Sequence, residues 1–209
     1  MLKGRTALSA AVLAVVLWIA GLAIGSGNDN LSDKATDEQT LAWVQANANT
    51  ILFSAWVFAL GCLAFIWFVG IVRGHLAAAE GGAATLSTVM FGAGVAAAAF
   101  AMATTGDVAS AINKSDISPA TAGALHHLGD DFFVVAELAL IGVMIPFAVV
   151  VLRTAVFPRW WGYVSLLVAL VLLIGPIGWA GLIFGTPVWA LVTGFLISRN
   201  VSRAAVPAG

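Results

Sequence analysis

Long apolar stretches alternate with short polar ones along the chain, at roughly 6–25, 51–72, 84–104, 132–152, 160–174 and 178–197. An α-helix needs about 20 residues to cross hydrocarbon about 30 Å thick. The pattern therefore predicts an all-α, six-helix transmembrane bundle, with 1–209 as a single integral membrane domain. Gly175-Pro176 is the one strong breaker pair between Trp160 and Ile197, so it divides the last two helices and leaves the fifth short. Pro146 and Pro187 fall inside the fourth and sixth helices and are expected to bend them, which membrane helices tolerate when neighbours re-satisfy the freed carbonyls. Lys3 and Arg5 precede an apolar run too long for a signal-peptide core, which reads as an uncleaved first helix.

Charge orients these helices. With the N-terminus inside, Lys3, Arg5, Arg73, Arg153, Arg159, Arg199 and Arg203 fall on the cytoplasmic side and only Lys34 and Lys114 outside. Cytoplasmic flanks collect Lys and Arg, so both termini are expected in the cytoplasm. The acidic residues run the other way: Asp29, Asp33, Asp37, Glu38, Asp107, Asp116, Asp130 and Asp131 fall outside.

The polar segments carry their own helix signals. Thr36-Asp37-Glu38-Gln39 has the form of a capping box, in which Thr and Gln satisfy each other's backbone N–H groups. A short amphipathic helix is expected to follow in the first outer loop, with Leu41, Val44 and Ala48 on one face and Trp43 at headgroup level, lying as a lid over the bundle. Ser118-Pro119 is a second helix start. A helix running from there to Leu152 would be about 51 Å long, so its first turns must project from the bilayer or tilt. Ala93, Ala97, Ala101 and Thr105 recur every fourth residue, which makes the third span the expected central packing helix, because small faces let backbones approach closely. Gly21 with Gly25 and Gly181 with Gly185 are GxxxG pairs that fit internal packing or dimerisation alike.

Composition narrows the class. The chain is 61% hydrophobic and 9% charged with a mean hydropathy of +1.03; a soluble domain would carry about 25% charge, so a soluble enzyme is excluded. A net charge of -1 without a basic cluster gives no footprint for nucleic acid. Cys62 is the only cysteine, which excludes an internal disulfide and a CxxC pair.

Candidate chemistry is concentrated in His126-His127-Leu128-Gly129-Asp130-Asp131 and in Glu137. At about 100° per residue, Asp130 and Glu137 fall within about 40° of His126, while His127 and Asp131 form a neighbouring stripe. The two His–Asp pairs at i, i+4 would suit divalent-metal ligation or a proton or substrate site, and the blander reading, a solvated helix start, is preferred to either. One helix face does not assure the three ligands of an open metal site, so no metal and no cofactor is assigned. Glu137 lies inside an apolar span, where an ionisable residue marks function by default. Asp107, His126, Thr104 and Thr105 are its expected partners. Glu137, Asp130 and Asp107 are thus the candidate acid–base or proton groups, and His126, His127 and Asp131 the candidate ligand-binding groups. Ser54, Ser87 and Thr88 are read as packing hydroxyls that bond back to carbonyls of their own helix.

Phe157-Pro158-Arg159-Trp160-Trp161-Gly162-Tyr163, followed by an apolar span and then Gly178-Trp179-Ala180-Gly181, resembles small actinobacterial-type multi-pass membrane proteins of unknown function. The resemblance implies a multi-pass topology and no particular activity. Read physically, Arg153 and Arg159 hold this loop in the cytoplasm, and Trp160, Trp161 and Tyr163 form an interfacial belt. The expectation is a cell-membrane protein with an outward-opening polar pocket between spans two, three and four, binding a lipid-like or apolar small molecule. An acid-catalysed enzyme acting on an isoprenoid or other lipid, a proton-linked carrier and a non-catalytic partner subunit are the alternatives.

Overall fold

The computed structural model describes residues 2–26, 31–32 and 34–204; Asp29 and Asp33, counted above among the outer acids, lie outside the described residues. The described chain is an all-α transmembrane bundle. Its helices are α1 (Leu2–Ser26), α2 (Asp37–Glu80), α3 (Thr85–Ala103), α4 (Asp107–Ile112), α5 (Pro119–Thr154), α6 (Arg159–Leu173), α7 (Gly175–Ala180) and α8 (Thr186–Ala204), with a π-helical segment, Gly181–Gly185, between the last two. Five described helices are long and apolar enough to cross a membrane, and α6, at 15 residues, is shorter.

Local chemistry sets the boundaries. At the start of α2, the Thr36 hydroxyl accepts from the Gln39 N–H at 3.4 Å and the Gln39 side chain accepts from the Thr36 N–H at 2.9 Å. Ser118 caps α5 by accepting from the Thr121 N–H, with Pro119 in the first turn. The α2–α3 turn uses positive φ at Gly81 and Gly82, and the Glu80 carboxylate closes it by accepting from the Leu86 and Ser87 N–H groups at 2.8 and 2.9 Å. Two orphan donors of α3 are thereby satisfied by the preceding helix.

The helix that follows the capping box differs from the expected lid. It does not stop in the loop but continues into the second span as one helix of 44 residues. Its apolar face does not need a membrane surface, because Val44, Ala48 and Ile51 are buried with Ala111 and Val108 of α4. Gln45 fixes the arrangement by donating to the Lys114 carbonyl at 2.8 Å.

The centre of the bundle also differs from the small-residue expectation. α2 packs against α1, α3, α4, α5 and α8, and α5 against α2, α3, α4, α6 and α7, whereas α3 lies against α2 and α5. Its small residues allow close approach to that central pair: a side chain on Gly142 would meet the Ala93 Cβ at 2.9 Å. The GxxxG glycines likewise serve internal contacts, Gly21 against the Phe58 backbone and Gly181 and Gly185 against Leu172 and Val168. The core holds Phe68, Phe147 and Trp189, with the Phe147 and Trp189 ring centroids 5.0 Å apart. Trp161 belongs to this core and not to the expected belt. It is 2% exposed, against 53% for Trp160 and 63% for Tyr163, and its indole N–H donates to Thr193.

Proline chemistry explains the irregular end of the chain. Ile174 is extended, so the apolar stretch breaks there as Gly175-Pro176 predicts. Pro187 lacks an N–H and would clash with a carbonyl four residues back. The π turn before it widens the backbone, and Thr186 returns both its N–H and its hydroxyl to the Gly181 carbonyl.

Charge separates the two ends of the bundle. Contacts of Gly194 with Ala7 and Leu8 place the start of α1 beside the end of α8, at the same end as Arg73, Arg153 and Arg159. Asp37, Glu38, Asp107, Asp116, Asp130 and Asp131 lie at the other. Between the ends, Phe53, Trp56 and Trp67 on α2 are 61%, 70% and 71% exposed, an apolar surface that suits lipid.

Candidate functional site

The acidic end is built by a corner and two glycines. α3 ends at Ala103 with Thr104 as its C-cap, and α4 begins at Asp107 after a tight turn through Thr105 and Gly106. This corner lies directly on α5: a side chain at Gly129 would stand 2.6 Å from the Thr104 carbonyl oxygen, and one at Gly106 would run into the Leu125 carbonyl. With no Cβ at either position, the Asp107 carboxylate reaches His126, whose Nδ1 lies 3.0 and 3.2 Å from its two oxygens. A carboxylate has no proton to give, so the imidazole nitrogen is the donor. The partner of His126 is therefore Asp107 on another helix and not Asp130 four residues along its own.

α5 has 36 residues and is about 54 Å long, so 119–131 project beyond the stretch that hydrocarbon can cover. His126 stands in that projecting part. The hydrogen bond from its imidazole to Asp107 holds it above the ordinary histidine range; burial opposes this, and the charges of Asp107 and Asp130 add to it.

Next to the pair opens a cavity of about 690 Å³ between α1, α2, the α3–α4 corner and α5, closed on one side by Leu31, Ser32 and Ala35. Its deep part is apolar, formed by Leu22, Ile51, Ala55 and Phe58. The part nearer the acidic end is polar and aromatic: Trp43, Thr104, Thr105, Asp107, His126, His127 and Asp130. The Trp43 ring meets His126 edge-on, centroids 6.4 Å apart. The Ser54, Thr104 and Thr105 hydroxyls bond back to carbonyls of their own helix, as do Ser87 and Thr88.

Of the sequence candidates, Asp107, His126, His127 and Asp130 thus share one wall, with His127 and Asp130 at its exposed rim, whereas Asp131, also exposed, lies outside it. Glu137 is not in the cavity either. Two turns deeper, it is 4% exposed and abuts α7, where a side chain on Gly178 would come within 2.5 Å of Oε2. None of the expected partners, Asp107, His126, Thr104 or Thr105, bonds to it. Distance along α5 explains the separation. His126 and Glu137 share a stripe but lie about 16 Å apart along the axis, so the same face meets the α3–α4 corner at one level and the glycine-rich break of the last span at another. Trp43 and Phe58 are cavity residues that the sequence reading did not assign to a site; Trp43 reads there as a residue at headgroup level. Among the described residues no cluster of three His, Cys, Asp or Glu side chains could hold a metal ion.

These features define the class: a multi-pass, all-α membrane protein. No family model matches the chain, and neither a curated protein nor a solved structure matches it.

Proposed function

We propose that this is a cell-membrane protein with both termini in the cytoplasm, whose cavity opens outward and holds a lipid-like small molecule. The observation that carries the reading is the cavity itself. Its volume of about 690 Å³ is within the range of small-molecule sites, and it joins an apolar floor to a few convergent polar groups. Binding is favoured over acid catalysis, because the buried carboxyl, Glu137, lies outside the cavity wall and Asp107 is engaged by His126. Delipidated protein would be mixed with a total membrane lipid extract and examined by native mass spectrometry. One retained adduct per chain is expected, lost when Ala55→Phe or Leu22→Trp fills the floor in a variant of unchanged melting temperature. Equal retention by the filled variants would overturn the reading.

Glu137 supports a second reading, a proton-linked carrier, since a carboxyl buried against a broken helix is where membrane proteins place exchangeable protons. Proteoliposomes under a valinomycin-imposed potassium potential should then take up protons, and Glu137→Gln should abolish the flux. Equal flux in the variant would remove this reading.

A further inference from the structure

We propose that the molecule held in the cavity is a cationic amphiphile, with an ammonium head between Asp130 and Trp43 and an apolar body on Phe58 and Leu22. The inference rests on the cavity reading and adds the charge of its ligand.

Three observations carry it. First, among the described residues the wall contains two carboxylates and two imidazoles but neither Lys nor Arg. Protonated His126 can neutralise Asp107, its partner at 3.0 Å, but Asp130 has no such partner among the described residues. The wall is therefore negative when His126 is charged and more so when it is neutral. Asp130 stands exposed at the mouth, so an anionic headgroup would meet repulsion there whereas an ammonium group could pair with it.

Second, the surroundings reinforce the sign. Asp37, Glu38, Asp116 and Asp131 lie at this end against Lys34 and Lys114. A mouth of one charge sign with low-dielectric walls concentrates counter-ions. Third, Trp43 lines the same polar part. An indole face attracts an ammonium group and gains nothing from an anion. The floor below has no polar side chain apart from Ser54, whose hydroxyl is taken by the Ile51 carbonyl, so it asks for hydrocarbon.

The test uses three probes of one chain length, dodecylammonium, dodecanol and dodecyl phosphate, below their micellar concentrations with full-length protein in maltoside. One dodecylammonium per chain is expected, bound at least about tenfold more tightly than dodecanol, with dodecyl phosphate weakest. Asp130→Asn should bring dodecylammonium and dodecanol within about threefold of each other. Asp116→Asn makes the same change in net charge at an exposed position off the cavity and should leave the preference intact. Equal binding of dodecylammonium and dodecanol to wild type, or tighter binding of the phosphate, overturns the cationic ligand while the cavity reading stands. Stoichiometric binding of none of the three overturns both. A preference that survives Asp130→Asn, or is lost equally in Asp116→Asn, overturns the assignment to this wall.

Discussion

Asp107 and His126 lie 19 positions apart in sequence and meet at 3.0 Å, because two residues without side chains, Gly106 and Gly129, let a helix corner press against α5. The pair joins fold to site: it pins the α3–α4 corner and forms the polar wall of the cavity. Its contribution to stability should depend on pH. The His126 pKa is raised on folding, so the stabilisation is fully present below the unfolded value of about 6.5 and is lost as pH rises through the higher folded value. Melting temperatures of wild type and Asp107→Asn, measured from pH 5.5 to 9, should differ most at the acid end and converge at the alkaline end. A gap that widens toward pH 9 would contradict the assignment.

Gly178 and Glu137 test the packing of the last span on α5. Gly178→Ala places a methyl 2.5 Å from the Glu137 carboxyl, the end of a flexible side chain that must swing aside, and should destabilise the protein by about 1 kcal/mol, the low end of overpacking. Combined with Glu137→Ala, the same substitution should cost less than the sum of the two changes, since the obstructing atoms are gone. Additive unfolding energies in a double-mutant cycle would show that the two positions do not touch.

The buried indoles of α6 and α8 make a second testable network. Trp161 donates to the Thr193 hydroxyl at 2.9 Å, and Trp189 to Ser165 at 3.1 Å. Thr193→Val keeps the shape but leaves the Trp161 N–H without an acceptor, at a cost of about 1–3 kcal/mol. Thr193→Ser should retain most of the stability. Equal losses for Val and Ser would mean that the methyl group, not the hydrogen bond, matters.

The proposed orientation is open to direct labelling. The native Cys62 is buried, so it gives little background. Cysteines replacing Lys114 and Arg159 stand at opposite ends of the bundle. In intact cells an impermeant maleimide should modify position 114 and spare 159. The reverse pattern would invert the topology.

Hydrophobic length and charge flanks made the bundle legible from the chain alone, because crossing hydrocarbon constrains every residue of a span in the same way. The capping box, the Ser118-Pro119 start and the Gly175-Pro176 break were equally readable, since each acts within a few residues. What periodicity could not supply was which face meets which neighbour. It placed His126, Asp130 and Glu137 on one stripe, yet His126 pairs with Asp107, Asp130 lines the cavity and Glu137 packs against Gly178. It read 37–50 as a surface lid because nothing local says that α4 will cover Val44 and Ala48. Trp161 and Trp160 are adjacent in an interfacial motif, and only the packing of α6 buries one and exposes the other. Lipid exposure and backbone satisfaction are set by each segment separately and so are written along the sequence. The cavity and its wall depend on contacts between distant helices, where two absent Cβ atoms at Gly106 and Gly129 decide what comes within reach.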